Sequence, residues 1–199
     1  MERSDVDELY FIAPRINVES ILRLGILSNA RASRVPHSSV AMALIQQRRD
    51  GIRVPGARLL HEYANLYVCA RNPMMFKLVM TSGPAEIIVL AVDSAVLEGR
   101  DVVIADGNAS SGYTIFRPSP GGLAYIDRDR VHGNWSGYAD ERAKWEHKRV
   151  KCAEVLVPDL VPADAITRVV APSEVAASAA RSVATDLPVV VAPYVFFGG

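Results

Sequence analysis

Short apolar runs separated by turn-forming residues dominate the chain. Leu9-Tyr10-Phe11-Ile12 reads as a β-strand stopped by Pro14, Glu86 to Asp93 as a second, and Val102-Val103-Ile104 as a third. Leu59 to Val68 is a strand-like stretch rich in aromatics. Tyr113-Thr114-Ile115-Phe116 follows the turn chemistry of Asp106-Gly107-Asn108-Ala109-Ser110-Ser111-Gly112. Cys152-Ala153-Glu154-Val155-Leu156-Val157, closed by Pro158, has the pattern of a buried strand, and Ile166 to Ala171 and Val189 to Val195 complete the set. Helical spacing appears between these runs. Asn17 is placed to cap Val18 to Leu24, which ends at Gly25. A second helix runs from Ser38 or Ser39 to about Asp50 after a Ser/Arg/Pro/His loop, Ser28 to His37. Asn72-Pro73 opens a Met-rich helix, Met74 to Met80. A further helix covers about Asp140 to His147, and Ser173 to Val183 is Ala-rich and helical. Arg117 to Trp135 reads as loop with short regular pieces. Short strands with segregated helices predict an α+β class, with a mainly antiparallel β-sheet split into two pieces and helices flanking it. No repeat or composition break marks a second domain, so residues 1–199 read as one.

Two charged side chains break the apolar pattern. Glu154 lies inside a run that predicts burial, where an unpartnered carboxylate costs several kcal/mol and is driven to protonate. It is therefore either paired or used. The basic segment Lys148-Arg149-Val150-Lys151 just ahead of it predicts a positively charged loop leading into the carboxylate. In the second helix, Ala41, Ile45 and Arg49 fall at i, i+4 and i+8, so Arg49 continues an apolar stripe and calls for an anionic partner. Ligand-facing aromatics are available from Tyr10-Phe11 and from Tyr63 or Tyr67.

Composition narrows the classes. Twenty-two basic side chains balance 22 acidic ones, which argues against strong non-specific duplex binding through many phosphates. Residues 31–58 nevertheless hold Arg31, Arg34, Arg48, Arg49, Arg53 and Arg58 against Asp50 alone, a local basic region. Half of the residues are hydrophobic, yet no window reaches the ~18 uninterrupted apolar residues of a membrane span. The acidic start, Met-Glu-Arg-Ser-Asp-Val-Asp-Glu, is unlike a secretion signal. Cys69 and Cys152 show no metal or disulfide spacing, and His37, His61, His132 and His147 are scattered. These features predict a cytoplasmic protein without a metal site or a membrane partner. Nothing matches a phosphate loop, a Rossmann fingerprint or a nucleophile elbow.

In order and spacing, several blocks together resemble the DarT family, the DNA ADP-ribosyltransferase toxins of toxin–antitoxin systems. They are Tyr10-Phe11-Ile12 with Asn17, Ser20-Ile21-Leu22 to Gly25-Ile26-Leu27-Ser28, Ile45-Gln46-Gln47-Arg48-Arg49 with Val54-Pro55, and Leu60-His61-Glu62-Tyr63 through Tyr67 to Arg71-Asn72-Pro73-Met74. Asp106-Gly107-Asn108-Ala109 and Ala153-Glu154-Val155-Leu156-Val157 complete the match. The resemblance implies an ADP-ribosyltransferase-like fold, NAD⁺ as donor substrate, and transfer of ADP-ribose onto a base of single-stranded DNA. It also implies an antitoxin partner of the ADP-ribosyl-hydrolase type. It places Arg49 and Glu154 on the two catalytic positions. Phe11, Ile12 and Ala13 fall on first-strand NAD⁺ contacts, and Ser20 and Ser28 on two more. Arg117 to Ala153 falls on the loop that selects the base. Many relatives carry His where this chain has Phe11 and Pro14. A phenylalanine offers packing and stacking where histidine can donate to a ribose hydroxyl. This departure marks a divergent branch and tilts the expected base from thymine toward guanine.

Chemically, loss of nicotinamide develops oxocarbenium character at the ribose, which a nearby carboxylate steadies; Glu154 suits that role. The family assigns proton acceptance to the residue at Arg49, but a guanidinium stays charged. Arg49 is better read as stabilising the base anion or the NAD⁺ phosphates, with Glu154 or water taking the proton. Tyr113, Tyr125, Trp135 and Tyr138 are available as stacking faces for an unstacked base. Two other readings stand beside this one: a transferase acting on protein or RNA, and an inactive NAD- or nucleic-acid-binding module.

Overall fold

The computed structural model describes residues 1–38, 47, 49–54, 56 and 58–198. Eight strands form the main sheet: β1 (Glu8–Pro14), β3 (Tyr63–Tyr67), β4 (Ile87–Asp93), β5 (Val103–Ala105), β6 (Phe116–Pro118), β7 (Glu154–Pro158), β9 (Ile166–Ala171) and β10 (Val189–Val191). Two more, β2 (Ile26–Leu27) and β8 (Leu160–Val161), pair with each other. The order across the main sheet is β10-β9-β4-β1-β3-β7-β5-β6. All pairings are antiparallel except β9 with β10, where the Glu174–Arg181 helix carries the chain back across the sheet. The α+β class and the mainly antiparallel sheet thus match the pattern of the sequence.

The split in the sheet lies at its centre. β1 pairs with β4 along its whole length, from Glu8↔Asp93 to Pro14↔Ile87, and β3 pairs with β7 from Tyr63↔Pro158 to Tyr67↔Glu154. Between β1 and β3 a single registered pair, Tyr10↔Tyr67, joins the two halves. Beyond it the strands part and a cleft opens. The half on the β1 side is anchored by β4, buried from Ile87 to Val92. Alternate β4 side chains enter two cores: Ile88, Leu90 and Val92 join one, and Ile87 and Val89 pack with Met75, Leu78 and Phe196 in the other.

The helices follow local chemistry. Helix Val18–Leu24 ends at Gly25 (φ +83°), where a Cβ would come within 2.4 Å of the Val161 carbonyl oxygen, so glycine is required there. Helix Pro73–Ser82 is capped by the fully buried Asn72, whose side-chain oxygen accepts from the Met75 N–H at 2.9 Å.

Several expectations need correction. Asn17 sits at the cap position, but its side chain instead exchanges hydrogen bonds with the Ser38 backbone (2.6 and 3.0 Å). The expected loop Ser28 to His37 contains a short helix, Asn29–Ala32. Leu59 to Val68 begins with a 3-10 turn, Leu60–Glu62, before β3. Tyr113–Ile115 belongs to a loop and the strand starts at Phe116. Val189 to Val195 stops as a strand at Val191, because Pro193 has no N–H to donate and a 3-10 turn takes over. The basic segment Lys148–Lys151 is the last turn of helix Glu141–Lys151 and not a loop; cations are favoured at that helix end. Of the helix expected from Ser38 to Asp50, the stripe positions Ala41 and Ile45 lie outside the described residues, while Gln47 and Arg49 are helical.

Candidate active site

Glu154 opens β7 between two neighbours, facing Tyr67 on β3 and Ala105 on β5. Its side chain is 1% exposed, and three donors meet it. Arg49 Nη2 lies 2.5 Å and Asn65 Nδ2 2.7 Å from Oε2, and the Ala109 N–H lies 2.8 Å from Oε1. Each partner comes from a different part of the fold. Arg49 comes from the helical segment before Asp50, Asn65 from β3, and Ala109 from the Asp106–Gly112 turn. Donors on both oxygens are what an ionised carboxylate accepts, and they offset the cost of its burial.

Side-chain alternation on β3 explains the rest of the wall. Ala64 and Leu66 turn into the core, and Tyr63, Asn65 and Tyr67 turn into the cleft. The cleft holds a cavity of about 360 Å³. Phe11 and Ile12 from β1 line it, with Ser20, Arg49, His61 and Asn108. Glu154 sits one layer behind this wall, screened from the cavity by its partners Arg49 and Asn65.

The electrostatics are set by burial and by this one carboxylate. Burial opposes the Arg49 charge, but the facing Glu154 outweighs it and holds the guanidinium above its ordinary range. Arg49 therefore stays protonated and is no base. Burial, then Glu154, pushes the Tyr67 phenol well above its usual value, so it remains a neutral hydroxyl. The same two causes push the Cys152 thiol up to about 12.

Most of the expected site residues come together. Arg49, Phe11, Ile12 and Ser20 line the cavity, and Glu154 lies behind it. Ala13 is buried and absent from the wall. Ser28 is buried between the lining residues Leu27 and Asn29, and its hydroxyl has no hydrogen-bond partner among the described residues. The aromatic wall and the positive Arg49 suit a dinucleotide. Sequence reasoning missed three participants. Asn65 and the Ala109 N–H hold Glu154. His61 sits in the cavity wall with Nδ1 3.1 Å from Asp50 Oδ1 and a buried Nε2 that has no partner among the described residues. Asn65 was discoverable from strand alternation with Tyr63 and Tyr67; a backbone N–H leaves no trace in sequence.

The Ala109 turn is clamped to helix Glu141–Lys151. Asp106 Oδ1 accepts from Arg149 Nη1 and from the Ile115 N–H, both at 3.0 Å, and the Asn108 N–H donates to the Arg149 carbonyl (3.2 Å). Arg149 is also paired with Glu146 (2.8 Å). Gly107 permits this approach, since a Cβ there would lie 2.4 Å from Arg149 Nη1.

Residues 10–197 match a family model described as "ssDNA thymidine ADP-ribosyltransferase, DarT". The chain belongs to the DarT family. It is 33% identical over 196 residues to a DNA ADP-ribosyl transferase–DNA ADP-ribosyl glycohydrolase fusion protein of Thermosipho africanus, covering 96% of this chain and 49% of the relative, so it spans about half of that protein. Two solved structures of DarT from Thermus sp. 2.9 share the fold. One, in complex with ADP-ribosylated ssDNA, superposes with a TM-score of 0.85 at 21% identity over 96% of this chain and 97% of that one. The other, in complex with NAD⁺, gives 0.79 at 18% identity over 96% and 98%. Membership of a family of NAD-dependent DNA ADP-ribosyltransferases agrees with the resemblance read from the sequence blocks. Among the described residues there is no cluster of His, Cys, Asp and Glu fit to hold a metal, and no helix long and apolar enough to cross a membrane.

Proposed function

We propose that this chain, acting as a single ADP-ribosyltransferase domain, moves ADP-ribose from NAD⁺ to a base of single-stranded DNA and releases nicotinamide. The observation that carries the reading is the Glu154 carboxylate, held by three donors directly behind a cleft whose wall includes Arg49. NAD⁺ lies along Phe11 and Ile12, with Ala13 buried behind them, and Ser20 and the Ser28 hydroxyl serve as polar contacts. For the ribose to reach Glu154, the Arg49 pair opens, and Glu154 then accepts from a ribose hydroxyl through the free lone pair of Oε1. As the nicotinamide–ribose bond breaks, the carboxylate steadies the developing cation.

The acceptor nitrogen forms the new bond to the anomeric carbon and loses a proton. Arg49 is held charged, so it stabilises the base anion or the donor phosphates. With Arg49 unable to accept it, the proton passes to Glu154 or to water. The target base enters from single strands because it must leave any stack to reach the cleft.

The family description favours thymidine as acceptor, and Phe11 in place of the first-strand His is what favours guanine. In the Thermosipho relative a transferase and a glycohydrolase share one polypeptide. On that model the partner is an ADP-ribosyl hydrolase acting as antitoxin to a toxic transferase. The proposed substrates, NAD⁺ and DNA, and the free thiols of Cys69 and Cys152 suit action in the cytoplasm. Incubation with NAD⁺ and single-stranded oligonucleotides of defined base content, with RNA and protein acceptors in parallel, followed by digestion and mass spectrometry, tests the transfer and its acceptor base. An ADP-ribosyl adduct on one base is expected and names the base. ADP-ribose found on protein or RNA and never on DNA overturns the DNA reading.

A further inference from the structure

Two large aromatic side chains stand on the surface next to the Ala109 turn. Tyr113 is 73% exposed and Trp145 47%. Their rings meet edge to face, with centroids 5.3 Å apart and an interplanar angle of 80°. Such a pair leaves an open ring face on each partner. Its position relative to the cleft is fixed by the clamp already described. Asn108 lines the cavity and Ala109 touches Glu154. Thr114 folds back to donate to the Asn108 carbonyl at 2.6 Å, so Tyr113 lies within one tight turn of the carboxylate's own partner. Trp145 lies one helical turn before Arg149, the residue that grips this turn.

Charge supplies the second, independent observation. Arg142 and Lys148 stand three residues to either side of Trp145, on the same helix face. Neither forms an ion pair among the described residues, although Lys144 and Arg149 on the same helix do. Open aromatic faces flanked by uncommitted cations are the chemistry that binds single-stranded nucleic acid, by base stacking and phosphate attraction. Other rings differ: the exposed Tyr125 is covered by Arg117 at 3.6 Å, and the half-buried Trp135 is boxed in by Phe76 and Phe197.

We infer that the Tyr113–Trp145 pair is a stacking platform for the nucleotide flanking the acceptor base, with Arg142 and Lys148 on its phosphates. It is a subsite for single-stranded DNA, continuous with the cleft through the Asn108–Ala109 turn. The inference rests on the transferase reading for the identity of the strand.

The chain has two tryptophans, so a Trp135→Phe variant leaves Trp145 as sole reporter. Titration with a short single-stranded oligodeoxynucleotide quenches its fluorescence to saturation, and the matching duplex does not. In the otherwise unchanged protein, Trp145→Ala raises the KM for the oligonucleotide about 10-fold, with the KM for NAD⁺ unchanged, and Trp145→Phe stays near the parent. An unchanged oligonucleotide KM in both Trp145→Ala and Tyr113→Ala overturns the platform. The two readings separate cleanly. Quenching without any base adduct retains the platform and sinks the transferase; adducts formed at parental KM by both Trp145→Ala and Tyr113→Ala do the reverse.

Discussion

Replacing Glu154 by glutamine keeps its shape and removes its charge. The structure gives the consequences for folding and for chemistry separately. At present the carboxylate takes three donors, from Arg49, Asn65 and Ala109. In the variant the amide oxygen can serve one side, but the amide N–H₂ then faces donors. Breaking a buried ion pair by removing one partner costs about 3–5 kcal/mol when the remaining charge has no access to water. Arg49 is 11% exposed and lies in the cavity wall, so water reaches it and the cost falls to about 2–3 kcal/mol. The mismatched Asn65 contact adds about 1 kcal/mol. At roughly 2–4 °C per kcal/mol for a chain of this length, Glu154→Gln should melt about 6–16 °C below the parent. Nicotinamide release should fall by a factor on the order of 100–1000, the usual cost of removing a charge aimed at a developing one. Adding Arg49→Gln removes the stranded cation, so the double variant should regain on the order of 1–3 kcal/mol without regaining activity. Differential scanning calorimetry and a nicotinamide-release assay measure the two effects. A Glu154→Gln protein that melts with the parent would show that the pair carries no stability. One that keeps a tenth of the parental rate would refute the oxocarbenium role.

Three further outcomes are expected. Arg49→Lys keeps the charge but loses the planar fork, so transfer should drop at least about 10-fold with little change in melting; full activity would remove any role for guanidinium geometry. Gly107→Ala drives a methyl into Arg149, which is clamped by Asp106 and Glu146 and cannot yield cheaply. The Ala109 N–H should shift off Glu154, lowering nicotinamide release by about 10-fold, and a parental rate would show that the turn does not position the carboxylate. Glu8, hydrogen-bonded and paired to Arg168, has its carboxyl held below the ordinary value of 4.5. A lowered folded-state value gives stability that is present above the ordinary range and lost as pH falls through the folded value. Glu8→Gln should therefore be less stable than the parent at pH 7, with the gap closing below about pH 4.5; a gap constant across that range contradicts the linkage.

The sequence displayed the fold wherever local pattern and tertiary context agree. β1, β4, β7 and the Val18–Leu24 and Pro73–Ser82 helices appear with nearly their observed bounds, because apolar spacing, Asn72 and Gly25 all act within a few residues. It was less legible where contacts from far along the chain decide. Asn17 is drawn off its cap role by the Ser38 backbone. Helix Glu141–Lys151 runs a turn past His147 because Lys151 finds the Val131 carbonyl at 3.0 Å. At the site, the odd carboxylate and the off-pattern arginine were visible as violations of burial rules, and the structure pairs them across 105 positions of sequence. The partners that make Glu154 tolerable were hidden. One is a backbone amide, and one is an asparagine whose meaning depends on strand register. Trp145 was hidden for a third reason: on a charged helix it reads as an ordinary surface residue until the fold sets Tyr113 against it.

The single pair Tyr10↔Tyr67 that joins the two halves of the sheet has a consequence for how such a protein diversifies. The cavity-lining Phe11 and Ile12 hang on one half, whereas Glu154, the Ala109 turn and Trp145 hang on the other. Substitutions that retune what is modified can accumulate on the second half without passing through the hydrogen-bond ladder of the first. A change of target then requires no new way of gripping the shared fuel, and lineages can drift in acceptor while their donor chemistry stands still.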